Sequence, residues 1–150
     1  MAHTSFTKEI SMELATAHDK LLKYITDRVQ ISEAEAQIIK DKFHLRKLAK
    51  KDYFVSVGST NFQQGFVAGG TLRVFYTDPK GNEHVMYFAF ADWWVGDLAG
   101  FHFNEAATLS VQALEESYIL EVSKSDIEEM YFQVPALERL FRSHFTAILQ

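Results

Sequence analysis

The sequence contains no cysteine and only two prolines among its 150 residues. Without cysteine there is no disulfide, no thiol nucleophile, and no thiolate ligand for zinc or an iron–sulfur cluster. The sequence also lacks any run of about 18 apolar residues, so no segment predicts a membrane-spanning helix. Residues 1–10 have neither the basic start nor the apolar core of a signal peptide. We therefore expect a cytoplasmic protein without a membrane contact.

Positive charge is scarce as well. Fifteen Lys and Arg residues stand against twenty Asp and Glu residues, which gives a formal net charge of −5. An acidic balance argues against this chain binding a nucleic-acid backbone by itself. One basic cluster is present. A contact with nucleic acid is the alternative, but without interleaved aromatic residues or a recognition helix the cluster is more typical of a solvated helix face; its members are Lys40, Lys42, Arg46, Lys47, Lys50 and Lys51.

Motifs for catalysis and metal binding are also missing. The six histidines show no H-x-H or H-x-x-x-H spacing that would place two metal ligands together. There is no nucleophile elbow, no phosphate-binding P-loop and no dinucleotide fingerprint. The sequence therefore predicts a protein that is not an enzyme and that has no catalytic residue, metal or permanent cofactor.

The residues that are present describe one ordinary domain. Apolar residues make up 47% and aromatic residues 14% of the chain, with thirteen phenylalanines, which predicts a core rich in rings. In the first part, Leu14, Leu21 and Ile25 recur at helical spacing. Ser32 followed by Glu35 forms a capping box, which predicts the start of a second helix.

Short strands follow the helices. From Lys50 onward, β-branched and aromatic runs alternate with glycines about every ten residues, which is typical of an antiparallel barrel or sandwich. The proline and glycine of segment 78–82 predict a tight hairpin. The sequence thus predicts an α+β, mostly β, fold, an antiparallel jelly-roll-like β-roll. One domain, 1–150, would comprise N-terminal helices (1–48), the roll (49–124) and C-terminal helices (125–150).

The C-terminal part returns to helical spacing. Ser125 is placed to cap one helix, and Pro135 would lie in the first turn of the last helix. On that helix a stripe of residues would be left exposed on a lone roll; it comprises Leu137, Phe141, His144 and Ile148. The alternative is that these residues pack on their own roll.

The loop that follows the adjacent tryptophans Trp93 and Trp94 carries the chemistry most specific to this sequence. In Gly96-Asp97-Leu98, glycine allows close backbone approach, free amides can hold an anion, and the Asp97 carboxylate can accept a hydrogen bond from a ribose hydroxyl. Thr108 can donate its hydroxyl to a phosphate oxygen. Taken alone, the motif is more typical of a β-turn with a solvated Asp97 than of a ligand site. In a strand, Trp93 and Trp94 would face opposite sides, one in the core and the other at the pocket or an interface.

These segments, in order, resemble the effector domain of the Crp–Fnr family of bacterial regulators, especially its Bacteroidetes-type members. The most specific match is Phe88 to Leu98. Further matches are the entry helix Ile31–Glu35, the "G-x-x-R" strand Gly69–Phe75, the hairpin Lys80–His84 and the segment Gln112–Glu115. The resemblance implies a cyclic-nucleotide-binding-like sensor domain that binds a small-molecule effector.

The family's phosphate-binding cassette is incomplete in this sequence. By the resemblance, Gly96, Asp97 and Leu98 stand where the family has Gly-Glu-Leu, and Ala107 with Thr108 where it has Arg-Ser or Arg-Thr. The missing arginine would pair with the cyclic phosphate, and no Lys or Arg occurs from Trp93 to Glu116. We therefore expect weak or no cyclic AMP binding and a ligand that is neutral or less highly charged, as yet unidentified.

The resemblance also implies partners. The family's last helix forms a two-fold interface, so we expect a homodimer through residues 136–150. DNA would be bound only through a C-terminal winged helix-turn-helix that this sequence does not contain, whether it is a piece of a regulator or a stand-alone sensor. The alternative function is a non-sensing dimerisation or protein-interaction scaffold with a degenerate pocket.

Overall fold

A computed structural model describes the backbone of residues 2–96 and 103–149 and the side chains of 14–96 and 103–142. The elements in this part of the chain are α1 (Ala2–Thr26), α2 (Glu33–Lys42), β1 (His44–Leu48), β2 (Tyr53–Val55), β3 (Gln64–Gly69), β4 (Leu72–Thr77), β5 (Glu83–Ala89), β6 (Trp94–Gly96), β7 (Ser110–Ala113), β8 (Ser117–Val122), α3 (Lys124–Gln133) and α4 (Pro135–Leu149).

The strands form two four-stranded antiparallel sheets, which confirms the predicted β-roll. The first sheet has the order β1-β8-β3-β6 and the second the order β2-β7-β4-β5. Apolar side chains from both sheets meet in one cluster, here called the roll interior. It comprises Leu48, Phe54, Val55, Val67, Leu72, Val74, Ala89, Val95, Ala107, Val111, Ala113 and Ile119.

The helices pack on the outer face of the first sheet, where a second apolar cluster forms that is here called the helix layer. It comprises Ala17, Leu21, Ile25, Ile39, Phe43, Phe66, Ala68, Trp94, Leu120, Val122, Ile127, Met130, Val134, Leu137 and Phe141. Because strand side chains alternate between faces, Val67 of β3 points into the roll interior while Phe66 and Ala68 point into the helix layer. The two apolar clusters therefore share the first sheet as a common wall.

The caps at the helix starts are partly as predicted. Ser32 and Glu35 form the capping box, with the Ser32 amide donating to Glu35 Oε1 at 2.9 Å and the Glu35 amide donating to Ser32 Oγ at 3.1 Å. The predicted cap at Ser125 is wrong. Ser123 has the extended backbone of a cap and accepts the Asp126 amide at 3.1 Å, because α3 begins directly after β8. Pro135 lies at the start of α4, as predicted.

The roll begins at His44, earlier than the boundary predicted at residue 49. In β1 only Leu48 is buried, so the strand shows almost no apolar alternation and is formed by pairing with β8. The prediction of a single basic helix face is therefore wrong. Arg46 and Lys47 lie on β1, where they form ion pairs with Glu121 at 3.5 Å and Glu116 at 3.2 Å across the strands.

The β4–β5 hairpin has the tight turn predicted for residues 78–82. Asp78 Oδ1 accepts the backbone amides of Lys80 and Asn82, both at 2.9 Å, and Asp78 Oδ2 lies 2.8 Å from His84 Nε2. The hydrogen bond with His84, followed by the one from Asn82, lowers the pKa of Asp78. The Asp78 carboxylate thus organises the whole turn.

The last helix packs on its own chain. Leu137 and Phe141 are fully buried in the helix layer, so the prediction that they lie on an exposed stripe is wrong. The amphipathic pattern was right, but its apolar side faces the first sheet. The side chains of His144 and Ile148 lie outside the described part.

Although α1 is 25 residues long, none of the helices within the described ranges is long and apolar enough to cross a membrane.

The side of β3 that faces the roll interior yields a stability prediction. A Cβ atom at Gly65 would overlap the Ile119 Cγ2 methyl group and lie 2.8 Å from Phe54 Cζ, whereas one at Gly69 would lie 3.7 Å from Tyr118. Gly65→Ala should therefore lower the free energy of unfolding by about 1–3 kcal/mol through overpacking. Gly69→Ala, in the same strand, should change it by less than about 0.5 kcal/mol. Urea denaturation of both variants measures the difference, and equal stabilities would contradict the packing of Phe54 described above.

Candidate functional site

The first half of the predicted cassette begins at the edge of the first sheet. Gly96 ends β6 and pairs with Gln64 of β3. A Cβ atom at Gly96 would lie 2.5 Å from Gln64 Oε1 and 2.8 Å from the Gln63 carbonyl oxygen, so only glycine fits here. The crowding at this glycine comes from the protein's own strand, and the expected close approach to a ligand stays a prediction. Asp97 and Leu98, the other predicted residues of this half, lie outside the described residues.

The second half of the cassette is held by the connection between β2 and β3. The Ala107 amide donates to the Ser59 carbonyl at 2.9 Å, and the Gly58 amide donates to the Ala107 carbonyl at 2.7 Å. The Ala107 methyl group is buried in the roll interior, whereas Thr108 is exposed. Of the two, only Ala107 is therefore part of the apolar interior.

A small depression beside Ala107 reaches toward the first half of the cassette. Its volume is about 10 Å³, which is room for about one water molecule. Gln63 lines it and also approaches Gly96, so this residue joins the two halves. The Phe54 ring stands over Gly65 at one side of it. None of the lining residues is basic; they are Phe54, Val55, Ser59, Asn61, Phe62, Gln63 and Ala107.

The two arginines on strands of the roll, Arg46 and Arg73, do not point into the roll interior. Arg46 donates to the Tyr53 carbonyl at 3.2 Å in addition to its ion pair with Glu121. Arg73, the arginine of the "G-x-x-R" strand, lies between two residues that face the roll interior and so faces outward. It donates to Gln112 Oε1 at 2.9 and 2.6 Å and pairs with Glu83 at 3.1 Å. Both guanidinium groups are thus engaged outside the apolar interior.

Tyr87 is a candidate ligand contact that sequence reasoning missed. Its half-buried ring packs against the roll interior from β5, and burial raises the pKa of its hydroxyl. It therefore stays a neutral phenol, able to donate or accept one hydrogen bond at physiological pH. Alternation along β5 places Tyr87 on the same face as Ala89, but the sequence does not show whether that face points inward. The strand pairing decides this.

The adjacent tryptophans face opposite sides, as predicted. Trp94 lies in the helix layer, not in the roll, and its ring packs edge-on against Phe141 of α4 at a centroid distance of 4.9 Å. Trp93 is 46% exposed on the other side. Gly96 therefore lies two residues from a side chain that touches the last helix.

Gln64, the partner of Gly96, is a polar residue in an apolar setting. It is 1% exposed, and its Nε2 atom has no hydrogen-bond partner among the described residues. A buried amide without a partner costs about 1–3 kcal/mol of stability. Gln112, by contrast, accepts from Arg73 and donates to the Lys51 carbonyl at 2.9 Å.

Substituting the two glutamines tests this difference. Gln64→Met should raise the free energy of unfolding by about 1 kcal/mol, because it removes an amide whose hydrogen-bonding capacity is unmet. Gln112→Met should lower it, since the change removes the hydrogen-bond donor to the Lys51 carbonyl and one of the two partners of Arg73. Denaturant unfolding of both variants against the unchanged chain decides the matter. A loss of stability in Gln64→Met would show that the Gln64 amide is satisfied in solution.

Solved structures of known proteins share this fold. The Thermus thermophilus catabolite activator protein matches with a TM-score of 0.70 at 17% identity, covering 79% of this chain and 55% of that one. The sensor domain of the transcriptional regulator DNR from Pseudomonas aeruginosa matches with a TM-score of 0.69 at 14% identity, covering 95% and 91%. A regulatory subunit of a cAMP-independent protein kinase A from Trypanosoma cruzi, bound to guanosine, matches with a TM-score of 0.65 at 14% identity, covering 83% and 44%.

These identities are low, so the likeness to the solved structures establishes the fold alone. The chain spans about half the length of the catabolite activator protein. A search of curated proteins found no match. The family model of the cyclic nucleotide-binding domain, however, matches residues 45–134, which is most of the roll and all of α3. The chain therefore belongs to the cyclic nucleotide-binding domain family.

Proposed function

We propose that this chain is a sensor domain that binds a neutral or weakly charged small molecule in its β-roll, and that it binds cyclic AMP weakly or not at all. The observation that carries the proposal is the Ala107 methyl group, which is buried in the roll interior at the position implied for the cassette arginine. The described part of the roll interior contains no basic residue that could replace it.

The energetic consequence follows from the charge of the ligand. A cyclic phosphate that enters an apolar pocket loses its hydration and needs a charged, forked partner in return. Removing one partner of such a buried pair costs about 2–5 kcal/mol, which is roughly two to three powers of ten in affinity. A ligand without the phosphate charge avoids this loss.

Hydrogen-bonding groups remain available to such a ligand. Tyr87 packs against the roll interior, Thr108 is exposed, and Asp97 with the amides of Gly96 to Leu98 completes the set expected from the sequence. The similar subunit from Trypanosoma cruzi is bound to guanosine, an uncharged nucleoside. Its likeness supports a nucleoside-like ligand here.

The response would pass to the helices. A ligand can favour one arrangement of the helices only through different affinities for the two arrangements. The contact between Trp94 and Phe141 offers a route, because Trp94 lies in the strand that leads to the cassette. Within this proposal the chain is the input half of a Crp–Fnr-like transcription regulator, and DNA would be bound by a separate domain.

The alternative is a scaffold that senses nothing. It is favoured by the position of Phe54 over Gly65 and by the small volume, about 10 Å³, left beside Ala107. In that case the roll would serve only to hold a protein-binding or dimerisation surface.

Restoring the arginine tests the proposal. Without ligand, Ala107→Arg should lower the melting temperature, because an unpaired guanidinium replaces a buried methyl group. Saturating cyclic AMP should then raise the melting temperature of the variant but not that of the unchanged chain. By calorimetry, the affinity of the variant for cyclic AMP should improve about a hundredfold.

The control is Ala107→Met, which adds bulk without charge and should show no response to cyclic AMP. Tight cyclic AMP binding by the unchanged chain would contradict the proposal, as would equal affinities in the unchanged chain and Ala107→Arg. Titration of the unchanged chain with guanosine and with cyclic GMP separates sensor from scaffold: a shift in melting temperature with either supports a sensor, and binding of guanosine alone supports a neutral ligand.

We also propose a homodimer through residues 136–150, now with a smaller set of contacts. Since Leu137 and Phe141 are buried in their own chain, the dimer would depend on the later part of the stripe. Ile148→Glu should therefore shift the sedimentation coefficient from that of a dimer to that of a monomer. The exposed change Arg139→Glu on the earlier part should have less effect. A chain that sediments as a monomer at about 100 μM would contradict the proposal.

A further inference from the structure

A second concave site lies on the outside of the first sheet. It is a groove of about 360 Å³ between the C-terminal half of α1 and the turn from β5 to β6, within the size range of small-molecule sites. We call it the α1 groove. It is separate from the roll interior, with which it shares no residue; its lining is Lys20, Lys23, Tyr24, Asp27, Arg28, Ala91, Asp92 and Trp93.

Both walls of the α1 groove are held in place by the core. On α1, Leu21 and Ile25 are fully buried, and Lys20 Nζ donates to the Ala68 carbonyl of β3 at 2.8 Å. On the opposite wall the backbones of Asp92 and Trp93 exchange two hydrogen bonds with Val67, both at 2.8 Å. The shape of the groove is therefore held by contacts within the chain, which lowers the entropic cost of binding.

One side of the groove offers an aromatic surface. Trp93 is 46% exposed, although Phe90 and Tyr87 pack around its ring at centroid distances of 5.8 and 6.3 Å. On the other wall the Arg28 guanidinium stacks on the Tyr24 ring, 3.6 Å from its centroid. A flat ring can stack on the exposed indole.

The charges of the groove are mixed but positive in sum. Lys20, Lys23 and Arg28 stand against Asp27 and Asp92, a local excess of one positive charge in a chain whose net charge is −5. The Lys23–Asp27 pair is solvent-exposed at 3.1 Å, and such pairs are weak enough for a ligand to compete with them.

Asp92 adds a hydrogen-bond acceptor. Its φ of +72° belongs to a region that non-glycine residues seldom occupy. Its carboxylate makes no hydrogen bond or ion pair within the described structure, because the contacts that hold Asp92 use its backbone. A carboxylate in this position can accept an N–H group from a heteroaromatic ring.

We propose that the α1 groove binds a small planar aromatic carboxylate that carries a ring N–H group. The ring stacks on Trp93, the carboxylate is held by Lys20 and Lys23, and the ring N–H donates to Asp92. The site is distinct from the proposed sensor pocket, and binding here does not depend on the residue at position 107.

The experiment is an NMR titration of the ¹⁵N-labelled full chain with indole-3-acetate. We expect saturable amide shifts concentrated at residues 20–28 and 91–93. Naphthalene-1-acetate, which lacks the N–H group, should bind more weakly, and tryptamine, which has the opposite charge, should not bind. Trp93→Ala should weaken binding about tenfold through loss of stacking. Lys23→Glu should weaken it by a similar factor and reduce its salt dependence.

Two matched variants control for surface changes elsewhere. Phe132→Ala removes an aromatic side chain that is 89% exposed on α3, and Lys80→Glu reverses a charge in the β4–β5 turn; neither should change the affinity. The same affinity in Ala107→Arg would show that the groove acts independently of the roll. Unsaturable shifts, shifts confined to the roll interior, equal binding of tryptamine, or an unchanged affinity in Trp93→Ala would each overturn the proposal.

Discussion

The edge-on packing of Trp94 against the rings around it joins the two halves of this molecule. Trp94 belongs to β6, but its ring contacts Phe141 of α4, Phe66 of β3, Tyr24 of α1 and Phe43 at the end of α2, at centroid distances of 4.9–6.0 Å. Each such pair contributes about 0.5–1.5 kcal/mol beyond the burial of its apolar area. A single side chain thus fixes three helices to the sheet that carries the cassette.

The position of this ring has a consequence for the proposed sensing role. Gly96 is two residues from Trp94 in the same strand, where it pairs with Gln64 of β3. A displacement of β6 would therefore move the Trp94 ring against Phe141 of α4. Close-packed cores respond to displacement by changing between discrete arrangements rather than by gradual deformation. The contact between Trp94 and Phe141 thus links the strand that ends at Gly96 to the last helix, as the proposed sensing role requires.

The residue types of the candidate site could be predicted from the sequence, whereas the directions of its side chains, which depend on strand pairing, could not. The lack of a basic residue from Trp93 to Glu116 was visible in the sequence, as was the glycine at position 96. The inward direction of Ala107 and the outward direction of Thr108 depend on hydrogen bonds with Gly58 and Ser59, which are distant in the chain. Tyr87 was not predicted because β5 has aromatic residues on both of its faces, so the sequence does not show which face points inward. The α1 groove was not predicted because its two walls come from segments more than sixty residues apart.

By itself, the sequence determined what depends on neighbours along the chain. The Ser32–Glu35 capping box, the hairpin at 78–82 and the opposite facing of Trp93 and Trp94 follow from backbone geometry over a few residues. The tertiary structure alone decided that 44–48 is a strand, that Ser123 rather than Ser125 caps α3, and that Leu137 and Phe141 are buried against their own chain. For β1 and α4 the deciding partner lies far away in the chain: β8 supplies the hydrogen bonds of β1, and the first sheet supplies the apolar surface on which α4 packs. The cap lies at Ser123 because β8 ends at Val122, a boundary that its pairing with β1 and β3 fixes.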